Sequence, residues 1–488
     1  MQINRRSFAV GAGLSLVGLG LAGCKPGSDK GTSTQGARKH ERVDTVILGA
    51  GVSGLNAALM LEEQGQKVAV LEARNRVGGR VLTLLDEPGY PEMGFNSMGP
   101  GYGRGINLAK RAGVELEDIS KRYTTGGKPE LFLNGKRMTA EEWAAFPGNP
   151  FPESEKATLP WELAFKLIAQ NNRLKDWSTW HSAANKALDV SVYDRLRELG
   201  LNDAAIQLCY DVSPYYGSSS FDVSALMLEF NDGFIKSQMA AGPGQLAVKG
   251  GNQRMTDALA QKLKNEVFLG HEVVAIDTTA DGATVTCRDG SQFTASRVIS
   301  TLPFSTLRHV HITPGLSGPQ ARAVASLSYQ PLSIAFITAS SPFWEEDKMG
   351  AGMWTNGVAG TIIAQRFGAT PEEVTGFMVQ ARGNLAQYWD RMGNDNVLST
   401  VIAEIERIRP AAKGKLVGRA FHSWGNEEFN QGDWAYYAPG DPTGFVTEMS
   451  KPAGRLHFAG EHTAVGARGL EGALESSERV VMEVLTPA

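Results

Sequence analysis

An α/β fold with an α+β second domain is what the sequence predicts, and three stretches carry that prediction. Order is expected to begin at Val43 with a short, apolar, β-branched strand, Val43–Leu48. A helical Leu55–Leu61 and a second strand, Lys67–Leu71, follow it and complete a βαβ unit. Between Val267 and Ile299 the runs Val273–Ile276, Ala283–Cys287 and Gln292–Thr294 alternate in character. They are split by Asp281-Gly282 and Asp289-Gly290, both hairpin signals. The stretch from about Leu131 to Met239 is helix-rich instead, with Trp143, Trp161, Trp177 and Trp180 set among charged residues. A mixed segment then runs to about Phe421. The chain closes on a strand, Leu456–Ala459, and an amphipathic helix through Glu475–Leu485.

Length agrees with two joined domains, since 488 residues is several times the roughly 100–150 of a single one. A hydrophobic fraction of 42% and a charged fraction of 20% are ordinary for a soluble globular chain. The net charge of -4 gives a nucleic-acid partner no electrostatic footing, and none is expected.

The first 24 residues read as an export signal. Asn4-Arg5-Arg6-Ser7-Phe8 is a twin-arginine pattern, and the apolar run to Ala22 is shorter than the ~20 residues that span a bilayer comfortably. Leu21-Ala22-Gly23-Cys24 resembles a bacterial lipobox. The expectation is a periplasmic protein exported folded by the twin-arginine route, touching the membrane only through a lipid anchor at Cys24. Residues 25–42, rich in Gly, Ser, Thr, Lys and Arg, read as a flexible tether. Two cysteines then remain, Cys209 and Cys287, far apart and without metal-ligand spacing. Two buried free thiols are expected, and no metal site.

Chemistry enters at Gly49-Ala50-Gly51-Val52-Ser53-Gly54, between the first strand and the first helix. A GxGxxG pattern is informative only in that context. Gly49 permits the tight turn, Gly51 lets backbone approach a pyrophosphate, and Gly54 lets helix and strand pack closely. The helix N-terminus near Ser53 then offers unpaired N–H groups and roughly half a positive charge. Glu72 closes the second strand at about the ~20-residue separation of a ribose-binding acid. A dinucleotide is implied.

Glu72-Ala73-Arg74-Asn75-Arg76-Val77-Gly78-Gly79-Arg80 resembles the sequence that follows the βαβ unit in FAD proteins of the glutathione-reductase superfamily, the amine oxidase branch especially. Arg74 and Arg80 bring cations towards a diphosphate, and Gly78-Gly79 lets the loop pass close to it. Further segments are similar to the monoamine oxidase and polyamine oxidase family. Met93-Gly94-Phe95-Asn96-Ser97-Met98-Gly99 resembles the loop beside the flavin ring, and His271–Ile276 the strand whose backbone, here at Val273, contacts adenine. Thr301-Leu302-Pro303 is similar to the return into the cofactor domain. Phe458-Ala459-Gly460-Glu461-His462-Thr463 with Gly469-Leu470-Glu471-Gly472-Ala473 resembles the C-terminal flavin motif. There Glu461 would reach the ribityl–phosphate region, and the helix opening near Leu470, Glu471 and Ala473 would face the flavin pyrimidine.

The resemblance implies a glutathione-reductase-type Rossmann FAD-binding domain of residues 43–115, 240–310 and 424–488. An intertwined substrate domain of 116–239 and 311–423, on a mixed sheet and helices, completes it. It implies oxidation of a small-molecule amine to an imine, hydrolysed to aldehyde or ketone, with electrons passed to oxygen or to a periplasmic acceptor such as a cytochrome. Gly432-Asp433-Trp434 aligns with the segment that supplies one of two aromatic residues flanking the flavin, which makes Trp434 the expected cage residue. The second cage position falls at Gly469, where no aromatic stands. Counting back from Trp344 puts Ile334 where the family usually has lysine. No cysteine lies near Gly432, so the FAD is expected to be non-covalent. A desaturase of apolar substrates and a catalytically degenerate flavin-binding interaction protein stay open as alternatives. Trp424, Tyr436, Tyr437 and His462 are weaker candidates, and Trp177 and Trp180 read as packing.

Overall fold

A computed structural model describes residues 40–486, so the twin-arginine segment, Cys24 and the tether up to residue 39 lie outside the described residues, as do the last two. The opening strand runs His40–Leu48, three residues earlier than its apolar pattern suggests. Its first residues continue a parallel ladder, His40, Glu41 and Arg42 facing Gln292, Phe293 and Thr294. Ladder hydrogen bonds are made by backbone, which a polar composition does not reveal.

Eight strands make the first sheet. In space they run His311–Thr313, Val273–Thr278, Ala283–Cys287, Gln292–Ser300, His40–Leu48, Val68–Leu71 and Val267–Phe268, with Leu456–Phe458 paired to the second half of Gln292–Ser300. The βαβ core is parallel, and only Ala283–Cys287 pairs antiparallel with its neighbours. Both hairpin signals form turns: Thr279 N donates to Gly282 O, and Gly290, at φ +86°, donates to Cys287 O. The strand His311–Thr313 belongs to this sheet, although it falls in the segment read as substrate domain.

Helix Val52–Glu63 is buried along most of its length because a second helix, Gly469–Leu485, covers it. The contact is polar as well as apolar. Asn56 Nδ2 donates to Ser477 Oγ at 2.7 Å, and Ser53 Oγ lies 3.3 Å from Ser476 Oγ. Small side chains let the two helices approach.

The second sheet has seven strands in the order Leu416–Ser423, Leu332–Ala339, Gly376–Arg382, Thr361–Gln365, Met353–Thr355, Glu130–Leu133 and Lys136–Met138. It is antiparallel except where Met353–Thr355 runs parallel to Glu130–Leu133. One face of its second strand, Leu332–Ala339, packs Ile334 and Phe336 against Met93, Met378 and Trp424. Trp424 Nε1 donates to Met93 O at 2.7 Å, tying this sheet to the loop that begins at Met93. The helix-rich middle includes Pro160–Gln170 and Ala225–Met239. Trp177 and Trp180 pack there against Phe230, at 5.6 and 5.0 Å between ring centroids.

Candidate active site

A cavity of about 540 Å³ runs along the C-terminal ends of the first sheet's parallel strands, where α/β sheets bind their ligands. Gly49, Gly51 and Ser53 line it, together with Glu72, Arg74, Gly79 and Arg80. Gly94, Phe95, Asn96 and Val273 contribute to the wall. Trp434, Glu461, Gly469, Leu470 and Ala473 line it as well, Glu461 lying 3.3 Å from Arg80.

The glycine loop is shaped for close approach. Gly49 sits at φ +97°, and a Cβ there would lie 2.8 Å from Thr301 Oγ1. A Cβ on Gly54 would lie 2.0 Å from Gly49 O, so strand and helix close on each other there. Gly54 therefore packs the cradle from behind and does not line it. Above Gly51 the nearest atom is Gly79 Cα at 3.9 Å, which leaves room for a ligand. Gly78 N donates to Ala50 O, holding the two glycine turns together. Glu72 is 4% exposed, with Oε2 accepting from Ala50 N at 2.9 Å and Oε1 from Arg74 N at 3.0 Å. Arg74 Nη1 adds a third donor 3.4 Å from Oε1, and a carboxylate has about four acceptor sites, so about one remains for a hydroxyl.

The three arginines of the motif do different things. Arg80 Nη1 donates to Asp433 O at 2.5 Å and lies 3.3 Å from Glu461 Oε2. Arg74 is engaged within the wall, its Nε on Glu427 Oε1 at 3.0 Å and its Nη2 on Asn430 Oδ1 at 2.5 Å. Arg76, unassigned by sequence, bonds to the carbonyls of Val77, Gly79 and Val81 and fixes the Gly78-Gly79 turn. Asn252 was missed too: its Nδ2 lies 3.1 Å from both Phe95 O and Asn96 O and holds that loop against the cavity. A buried amide distant in sequence gives no local signal.

Two more expected cofactor residues stand apart from the cavity wall. Ser97 turns its hydroxyl towards Asn96 Oδ1 at 3.4 Å. Glu471 accepts from Arg104 N and Gly105 N, each at 3.1 Å, and so closes the N-terminus of helix Gly103–Ala112. Helical periodicity explains this, because Leu470 and Ala473 share the cavity face while Glu471 points round to the neighbouring helix. No side chain caps helix Gly469–Leu485, which leaves its first N–H groups for whatever occupies that end.

Trp434 stacks on Tyr215 with centroids 5.2 Å apart and planes at 28°, and its Nε1 donates to Tyr215 O at 3.2 Å. Gly469, at φ +56°, has nothing within 4 Å of where a Cβ would stand. Ile334 is buried in the second sheet's apolar cluster, and no lysine among the described residues lines the cavity. Trp424, Tyr436, Tyr437 and His462 also lie outside the wall; the tyrosine hydroxyls bond to Asp222 and to His462 O. Cys209 and Cys287 are free, buried and likewise away from it.

Asp433 lines the cavity and titrates near neutrality. Burial pushes its carboxyl up to about 7, against the pull of Arg80 and Arg382 and with Glu461 adding to the rise. Between pH ~4 and ~7 the folded apoprotein therefore holds a proton that the unfolded chain has lost, and stability falls as pH rises through that window. Asp433→Asn is expected to flatten this slope in apoprotein thermal unfolding measured from pH 4 to 8. An unchanged slope would remove Asp433 as its source.

A glycine cradle, a ribose-ready carboxylate, a backbone strand at Val273 and an uncapped helix N-terminus together define a dinucleotide flavoprotein. The chain matches the family described as flavin containing amine oxidoreductase over residues 52–485. It belongs to that family, it is an oxidoreductase, and its cofactor is FAD. A flavin-dependent L-tryptophan oxidase of Lentzea aerocolonigenes is 25% identical over 92% of this chain and 98% of its own. The flavin-containing amine oxidase B of Homo sapiens is 24% identical over 91% and 86%. Among solved structures, wild-type putrescine oxidase bound to putrescine matches with a TM-score of 0.70 at 24% identity, over 91% of this chain and 99% of that one. Cyclohexylamine oxidase from Brevibacterium oxydans IH-35A matches with a TM-score of 0.71 at 20% identity, over 91% and 98%. These likenesses carry the fold.

Proposed function

We propose that this protein oxidises a small amine at its C–N bond, giving an imine that water hydrolyses to an aldehyde or ketone. The observation that carries this reading is the Trp434–Tyr215 stack, whose indole lines the same cavity as the glycine cradle. FAD, when bound, supplies the two-electron acceptor for a hydride equivalent from the carbon beside nitrogen. The chain's own contribution is placement. The indole of Trp434, fixed by its bond to Tyr215 O, presents an aromatic wall to the amine and excludes water from it. The open N-terminus of helix Gly469–Leu485 sets positive potential beside the cavity, where reduction adds negative charge. Glu461, 3% exposed and 3.3 Å from Arg80, holds that guanidinium in the wall.

The electrons pass to oxygen or to a periplasmic acceptor such as a cytochrome, a choice that hydrogen peroxide yield per amine under air decides. The periplasmic setting rests on Arg5-Arg6 and on the lipid attachment read at Cys24. Anaerobic mixing with an amine panel tests the reaction: bleaching of the flavin by one of them is expected, and no bleaching by any would overturn it. Trp434→Ala should slow bleaching by about tenfold or more while FAD stays bound, since a positioning wall is lost and the cradle is not. Reduction at the wild-type rate would place the amine elsewhere.

A further inference from the structure

Arg382 closes strand Gly376–Arg382, and its guanidinium lies 5.2 Å from the ring centre of Tyr215 and 5.7 Å from that of Trp434. Interior cations ordinarily find a carboxylate, because an unpaired charge is costly to desolvate. Four other interior arginines do so: Arg74 pairs with Glu427, Arg195 with Glu229, Arg409 with Asp347, and Arg468 with Glu461, while Arg76 spends its donors on three backbone carbonyls. Arg382 does neither. Among the described residues it makes no ion pair, and its one hydrogen bond runs from Nη2 to Gln380 Oε1 at 3.1 Å. Its remaining N–H groups are not sealed in protein, unlike the Nε and Nη1 of Arg468. Asp433 acts on it only through space, beyond ion-pair distance, and Tyr215 and Tyr216 do the same.

A half-buried guanidinium with open donors, beside two aromatic rings of which Trp434 lines the cavity, is built for an anion. We propose that the amine oxidised here also carries a carboxylate, and that Arg382 pairs with it beside the Trp434–Tyr215 stack. This rests on the amine-oxidising reading and names its substrate class. A diamine would bring a second cation towards the same guanidinium and be disfavoured.

The test uses the holoenzyme and matched probes that differ only in the carboxylate: phenylalanine against phenethylamine, and tryptophan against tryptamine. Anaerobic flavin bleaching is followed against concentration. The carboxylated member of a pair is expected to half-saturate at a concentration at least about tenfold lower. Arg382→Met should bring the two members to within about threefold, with Arg382→Lys recovering part of the preference. FAD content equal to wild type shows that the variant is folded. Hydrocinnamate, which has the carboxylate and no amine, should perturb the flavin absorption bands of the wild type and not those of Arg382→Met. Equal or tighter saturation by the bare amines, or a preference unchanged in Arg382→Met, overturns the proposal. If no probe bleaches the flavin while hydrocinnamate binds through Arg382, the anion site stands and amine oxidation falls. If hydrocinnamate has no effect and nothing bleaches, both fall.

Discussion

Glu72→Ala is expected to leave a protein that purifies nearly colourless and takes up added FAD at least about a hundredfold more weakly than the wild type. Charge-assisted hydrogen bonds are worth about 1.5–3 kcal/mol each, and one to the ribose accounts for about that loss at the upper end of the range. The carboxylate has a second duty, since Ala50 N and Arg74 N both donate to it. Its removal leaves the first turn of the cradle without an acceptor and loosens the approach of Gly49 to the strand Val68–Leu71. The measurement is the ratio of flavin to protein absorbance after purification, followed by FAD titration of the apoprotein. Equal FAD content in variant and wild type would show that Glu72 holds the turn and nothing more.

The cradle was legible in the sequence because it is local. Gly49 to Gly54 and Glu72 belong to one βαβ unit, and each has a spacing that backbone geometry dictates. The C-terminal motif was legible for the same reason, as one strand running into one helix. What escaped was whatever depends on two distant segments. Asn252 reaches the Phe95-Asn96 loop, and Arg382 reaches the Tyr215–Trp434 stack from another strand, with no sequence period joining them. Glu471 failed in a different way. Its position in the motif was right, but a helix turns about 100° per residue, and one step from Leu470 carries a side chain off the cavity face. Ser97 shows that a loop resemblance fixes the path of the backbone and not the direction of each side chain. The start of the first strand at His40 was hidden because polar residues can pair by backbone alone.

Two glycines three residues apart, Gly51 and Gly54, should separate folding from cofactor binding. Gly54→Ala places a methyl 2.0 Å from Gly49 O, a backbone atom in a turn already pinned by Gly78 and Thr301. Overpacking costs about 1–3 kcal/mol where side chains can yield, and backbone cannot yield that way, so a loss of about 3 kcal/mol or more is expected. The apoprotein itself should melt early, with or without flavin. Gly51→Ala meets only Gly79 Cα at 3.9 Å, and its φ of -74° suits any residue. Apoprotein stability should therefore stay within about 1 kcal/mol of wild type. Yet that methyl enters the space through which a pyrophosphate reaches the helix N-terminus, and FAD affinity should fall at least about tenfold. Thermal unfolding of both apoproteins, paired with FAD titration, reads the two effects separately. A Gly51→Ala protein that binds FAD as the wild type does would move the phosphates off this turn, and with them the orientation of everything downstream in the cavity.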